Sequence, residues 1–184
     1  MSTREGQALR EENRAILTEL LRRLGTQDYH GACAMMTEDV LCDWPYLPMP
    51  GLAHEIRGRD AMEAFFAGGM SAFEPYRYEI TAVFDLLDPN RLIAEYRSNS
   101  TFKPSGAPYQ NHYVGIFEFQ DGAVSYWREY INPDTVARVL ATAPASARGD
   151  TTGGAGGAVR AASASSRDPA ERPRPRPGPG TSPA

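Results

Sequence analysis

The stretch that decides the fold runs Tyr109-Gln110-Asn111-His112-Tyr113-Val114-Gly115-Ile116-Phe117-Glu118-Phe119, then Gln120-Asp121-Gly122, then Ala123-Val124-Ser125-Tyr126-Trp127-Arg128-Glu129-Tyr130-Ile131-Asn132-Pro133. Two alternating runs rich in aromatic and β-branched residues flank an Asp-Gly turn signal, and that pattern predicts a β-hairpin. A two-residue Asp121-Gly122 loop pairs Gln120 with Ala123. A three-residue loop, with Gly122 in the left-handed position, pairs Phe119 with Ala123. The choice matters because a one-residue slip turns every side chain of one strand to the opposite face. In the three-residue register Tyr109, Asn111, Tyr113, Phe117, Trp127, Glu129 and Ile131 share a face. In the other register Glu129 joins His112, Val114 and Ile116.

Outward from the hairpin, the same alternation predicts strands over 76–87 and 92–102, separated by Asp88-Pro89-Asn90 and followed by a turn over 103–108. Upstream the period changes. Leu9, Ile16, Leu17, Leu20, Leu21 and Leu24 recur at helical spacing, with Ser2 or Thr3 as cap and Gly25 as stop. Thr26 caps a second helix reaching about Met36, and a strand follows over 40–44. Pro45, Pro48, Pro50 and Gly51 force an irregular loop through about residue 55. A third helix is expected over 58–67, burying Ala61, Met62, Phe65 and Phe66, and Asp134 caps a last one ending near Leu140. Helices first and a strand meander afterwards predict an α+β fold: a cone-shaped, curved antiparallel or mixed sheet with three N-terminal helices closing an apolar pocket.

Composition bounds the rest. The chain has 184 residues and a net charge of -4. Beyond about Ala143 it turns to Gly, Ala, Ser, Pro and Arg, including Arg172-Pro173-Arg174-Pro175-Arg176-Pro177, with Val159 as the one large apolar residue. Such a segment cannot bury enough surface to offset its ordering entropy, so residues 1–142 are expected to form one domain and 143–184 a disordered tail. From Arg148 onward six Arg face three acids, +3, which leaves the remainder at -7. An acidic body argues against a nucleic-acid partner. No apolar run approaches a membrane span, and residues 1–14 show no signal-peptide core, so a cytoplasmic location is expected. Two cysteines, Cys33 and Cys42, make neither a disulfide framework nor a structural zinc site.

Glu129 is the residue with the clearest chemical possibilities. In the first grouping it sits among phenols, an amide and an indole, where desolvation raises a carboxyl's proton affinity toward the range useful for acid–base work. Tyr109 and Asn111 are candidate donors to a substrate oxygen. Asp43 is a second acid/base candidate. Tyr113, Trp127, Tyr29, Phe65 and Trp44 are candidate pocket walls, and His54 a candidate lip. Glu95 and Arg97, two apart on one strand face, suggest an ion pair. The histidines lack close ligand spacing, and there is no Gly-rich phosphate loop, so neither metal nor cofactor is expected. His112, Tyr126, Arg128 and Tyr130, on the other face, suit a subunit interface.

Three blocks carry a resemblance: Thr37-Glu38-Asp39-Val40 after two helices, Ile56-Arg57-Gly58-Arg59-Asp60 leading into Phe65-Phe66, and the hairpin ending Arg128-Glu129-Tyr130-Ile131-Asn132-Pro133. In this order and spacing the chain resembles the nuclear transport factor 2-like superfamily, SnoaL-like branch, over about residues 15–140. The resemblance implies a cystatin-like α+β barrel, commonly homodimeric through the sheet's outer face, that acts without cofactor on polyketide-like molecules. The hairpin is most similar to the phenazine-biosynthesis PhzA/PhzB proteins: Tyr109, Asn111-His112 and Glu129 match that group's Tyr, Asn-His and acid/base Glu. The match implies that Glu129 faces the cavity and that the turn has three residues. That group's helical His falls here on Phe65, a nearby polar position on Gly69, and its basic residue has no counterpart near Ala32.

Together these readings lead to an acid–base isomerase or cyclase of natural-product metabolism. Epoxide opening is a second option on the same fold, and a non-catalytic module that binds a small molecule or dimerises is a third.

Overall fold

The computed structural model describes residues 3–46 and 54–144. The Ser2 cap, the Thr3 side chain, the loop residues Pro48, Pro50 and Gly51, and the tail from residue 145 lie outside the described residues. The elements are α1 (Thr3–Gly25), α2 (Tyr29–Cys33), β1 (Met36–Asp43), β2 (Glu55–Arg57), α3 (Arg59–Gly69), β3 (Arg77–Asp85), β4 (Arg91–Phe102), β5 (Ala107–Gln120), β6 (Ala123–Ile131) and α4 (Pro133–Leu140).

The six strands form one sheet in the order β2-β1-β6-β5-β4-β3, with β1 parallel to β6 and every other pair antiparallel. Helices cover the inner face. The leucine stripe of α1 (Leu17, Leu20, Leu21, Leu24), Cys33 of α2, and Met62 and Phe66 of α3 share one core with Val40, Cys42, Tyr96, Phe117, Val124 and Trp127 of the sheet. A second cluster joins Val136 and Val139 of α4 to Phe73, Phe102 and Tyr109. The α+β architecture with a mixed sheet is as the alternation predicts.

Local differences have local causes. Helix α2 spans five residues rather than about ten, and Asp28, not Thr26, caps it by accepting from the Gly31 amide at 2.9 Å. The chain re-extends at Met36, so β1 starts earlier than expected and includes the Thr37-Glu38-Asp39 segment. The short β2 pairs with the end of β1 where an irregular loop is expected. At α4 the cap is Asn132, whose side chain accepts from the Asp134 amide at 3.1 Å. Arg97 pairs across strands with Glu79 at 2.7 Å rather than with Glu95.

The closing hairpin corrects the turn and keeps the face. Asp121 (φ 50°) and Gly122 (φ 76°) form a two-residue loop with Gln120 opposite Ala123. Two consecutive positive φ values suit Asp-Gly and match the twist of the strands. One step further in, the register slips: Phe119 faces Val124, but Glu118 faces Tyr126. Ser125 is the extra residue of a β-bulge, and its hydroxyl donates to the Glu118 carbonyl at 3.2 Å. The bulge restores the grouping expected of the three-residue loop, with Phe117 opposite Trp127 and Gly115 opposite Glu129. Val124 and Trp127, three apart, are both buried as a result.

Candidate functional site

Glu129 points from β6 into the core and is 8% exposed. Its Oε2 accepts from the Trp44 indole N–H at 3.0 Å, and its Oε1 accepts from the Tyr96 hydroxyl. Trp44 follows β1, and its backbone is clamped: its amide donates to the His54 carbonyl at 2.8 Å, and His54 Nδ1 donates to its carbonyl at 3.1 Å. Tyr96 lies on β4 opposite Tyr113 of β5, the two rings stacked at 5.0 Å. Gly115 faces Glu129 across the hairpin because the space over it is taken. A methyl there would collide with the Phe117 ring and come within 3.1 Å of the Tyr96 ring.

Burial dominates the electrostatics. Withdrawal from water pushes the Glu129 carboxyl from 4.5 up to about 7, although the Tyr96 and Trp44 hydrogen bonds pull the other way. The Tyr96 phenol is driven well above its usual value, first by burial and then by the adjacent Glu129 charge. Tyr78 and Tyr113 are raised in the same direction, again mainly by burial. Near neutrality Glu129 therefore holds or releases a proton with comparable ease, while the phenols around it stay neutral donors.

The remaining candidates divide into three sets. Trp127, Phe65 and Tyr113 join Trp44 and Tyr96 around the acid: Phe65 lies 4.9 Å from Trp44, and Trp127 stacks on Phe117 at 5.4 Å. Tyr29 faces the interior too, stacked on Phe66 at 6.4 Å, and its buried hydroxyl has no hydrogen-bond partner among the described residues. Tyr109 and Asn111 are inward but committed. The Asn111 amide donates to the Tyr109 hydroxyl at 2.9 Å and to the Asn132 carbonyl at 3.2 Å, and its oxygen accepts from the amides of His112 and Asn132. This side chain ties β5 to the start of α4. The oxyanion role expected of Asn111 has no free donor to supply it.

Asp43 is not brought to the acid. It lies on the outer face, where Arg128 grips both its oxygens at 2.8 and 2.7 Å and Tyr126 donates at 3.1 Å. Strand alternation explains this, since Cys42 and Trp44 on either side both join the inner core. His54, the candidate lip residue, is exposed, and its Nδ1 donates to the Trp44 carbonyl. Sequence reading missed Tyr96. Its signal was present, as the one aromatic between the charged neighbours Glu95 and Arg97 on a strand that must turn one face inward. No three His, Cys, Asp or Glu side chains among the described residues are placed to hold a metal ion.

Two shallow depressions of about 310 and 270 Å³ open on the sheet, lined in part by outer-face Glu95, Arg97, His112 and Tyr130; Glu129 lines neither.

Comparison with known proteins follows the same lines. Phenazine biosynthesis protein PhzB1 of Pseudomonas aeruginosa is 27% identical over 135 residues, 72% of this chain and 82% of its own length. A Bacillus subtilis structure proposed to be an isomerase superposes with a TM-score of 0.67 at 22% identity, covering 72% of this chain and 95% of that one. A Xanthomonas campestris structure proposed to be a polyketide cyclase gives 0.59 at 19%, covering 72% and 98%. The SnoaL-like domain matches residues 17–127, more than half of the sequence, and so the chain belongs to the SnoaL-like domain family.

Proposed function

We propose that the protein is an acid–base enzyme of natural-product metabolism that cyclises, isomerises or dehydrates a small, apolar carbonyl compound without a cofactor. The observation that carries this reading is a buried carboxyl poised near pH 7 and held by two neutral donors, Trp44 and Tyr96. As a base, Glu129 takes a proton from the carbon next to a carbonyl. As an acid, it returns one to the product, so the proton is conserved over the cycle. The aromatic side chains packed around Glu129 exclude water and match an apolar substrate in chemistry; they must part to admit it, because Glu129 lines neither depression on the sheet. The names of relatives such as the phenazine protein and the polyketide cyclase candidate support this chemistry class.

Epoxide opening is less well supported. Its carboxylate–guanidinium pair exists here as Asp43 and Arg128, but on the face away from Glu129. We also propose a homodimer formed through the outer face of the sheet.

The test begins with a strain lacking the protein. The compound that accumulates is purified and offered to the enzyme. Turnover is expected, with Glu129→Gln lowering kcat by about 10²- to 10⁴-fold at unchanged fold. Full turnover by Glu129→Gln rejects the mechanism, and tight binding without conversion favours a non-catalytic binding module.

A further inference from the structure

Asp43 and Glu129 lie on opposite faces of the sheet, yet they are joined through their neighbours in sequence. Asp43 is the last residue of β1, and Arg128 is its Cα partner on β6. The next residue along each strand, Trp44 and Glu129, turns to the inner face, as alternation requires. There the Trp44 indole N–H donates to Glu129 Oε2 at 3.0 Å. One cross-strand contact thus stands directly behind the other.

The backbone pairing at this point is weak. β1 and β6 form the parallel pair of the sheet, and parallel ladders are slightly less stable per residue than antiparallel ones. Upstream the register is interrupted: Met36 faces Val124 and Leu41 faces Tyr126, so five steps along β1 accompany two along β6. Leu41, Cys42 and Asp43 then form a run of three consecutive pairs, and the strand ends. Side chains reinforce this short run. Arg128 Nε and Nη2 donate to the two oxygens of Asp43 at 2.8 and 2.7 Å, and the Tyr126 hydroxyl, two residues earlier on β6, donates at 3.1 Å. The Asp43 side chain is 8% exposed and that of Arg128 27%, so water competes little for the two-pronged pair. A one-residue slip of β1 would turn Asp43 inward without its partner and carry Trp44 away from Glu129. The Glu79–Arg97 pair on the same face has a different setting, since it joins β3 to β4 within a longer antiparallel ladder.

We infer that Asp43 and Arg128 are positioning residues: by gripping each other on the outer face they fix the register of β1 on β6 that holds the Trp44 indole N–H against Glu129 on the inner face. The placement itself is geometric; that Glu129 is the working acid rests on the function proposed above. Loosening the grip withdraws a donor from the carboxylate, which favours its protonated form.

The chain contains two tryptophans, so an ¹⁵N-labelled sample shows two indole N–H signals, and Trp44→Phe identifies the one bonded to Glu129. The test variant is the full chain carrying Asp43→Asn with Arg128→Gln, which keeps both side chains near their size and removes the two charges together. It is expected to move the Trp44 signal upfield, toward that of a free indole, and to move the Glu129 titration, read by carboxyl ¹³C shifts, above 7. Glu79→Ala, which breaks the other outer-face pair, is expected to move neither. An unmoved Trp44 signal in the double variant overturns the inference even where the protein melts earlier, because the pair then contributes stability alone. A titration at or below 7 in the double variant, or an equal displacement by Glu79→Ala, overturns it as well. Should the double variant fail to fold, the Trp44 signal of Asp43→Asn alone is read in the same way. Neither readout depends on turnover. A displaced Trp44 signal together with full turnover by Glu129→Gln leaves this inference standing and removes the acid–base reading; an unmoved signal with an inactive Glu129→Gln does the reverse.

Discussion

Glu129 is under two opposed influences, and their balance is measurable. Burial raises its proton affinity, and the hydrogen bonds from Tyr96 and Trp44 lower it, with burial prevailing. A carboxyl moved from 4.5 to about 7 corresponds to roughly 3 kcal/mol against the ionised form. Below pH 4.5 both folded and unfolded chains hold the proton, and nothing is lost. Between 4.5 and about 7 the unfolded chain releases it first, so the folded state binds more protons and its stability falls as pH rises. Glu129→Gln is expected to remove that decline, which denaturant melts at pH 4 and pH 8 would show as a smaller difference than in the parent. Tyr96→Phe deletes a donor that favours the ionised carboxyl. The Glu129 titration should then move above 7, visible by carboxyl ¹³C shifts, and the acidic limb of any rate profile, where the ionised base is lost, should follow it.

The closing hairpin is the element on which the site depends. Its turn alone would place Glu129 with His112 and Val114, and the Ser125 bulge reverses that assignment. Because Ser125 is the extra residue, deleting it is expected to leave a regular ladder that keeps Phe117 opposite Trp127 and Gly115 opposite Glu129, so the carboxyl that titrates near 7 should persist in carboxyl ¹³C shifts. Gly122 matters for a different reason. Its φ of 76° is a conformation that L side chains rarely adopt, so Gly122→Ala should cost about 1 kcal/mol in chemical denaturation with Glu129's titration unchanged. Asn111→Ala should cost about 1–3 kcal/mol, because it leaves the amides of His112 and Asn132 without their acceptor, while the acid's own hydrogen bonds remain.

At the scale of the molecule the two sheet faces have different characters. The inner face is aromatic and contains one acid. The outer face carries the Asp43–Arg128 pair, the Glu79–Arg97 pair and a strip where Val114 is 38% exposed beside Tyr130. A mixed apolar and charged surface of this kind suits a partner copy. Sedimentation is expected to give a dimer, and Val114→Glu a monomer that keeps the Glu129 titration. A monomeric parent would reject the interface. No helix among the described residues is long and apolar enough to cross a membrane.

The helical stripe of α1, the four long strands and the Asp-Gly turn were legible from residue order, because period and turn chemistry are local properties. The inward direction of Glu129 was legible only with the help of resemblance, since two registers of opposite face fit the same residues. Three facts required the folded chain. The bulge at Ser125 depends on how β6 meets β5 and β1 together. Asp43 turned outward because its neighbours Cys42 and Trp44 were drawn into the core. Tyr96, more than thirty residues from Glu129 in sequence, became its partner only when β4 was laid beside β5. Sequence determines which segments are strands and helices through short-range preference. Which side chains share the dry interior is decided by pairing across strands, where a shift of a single residue reverses the outcome.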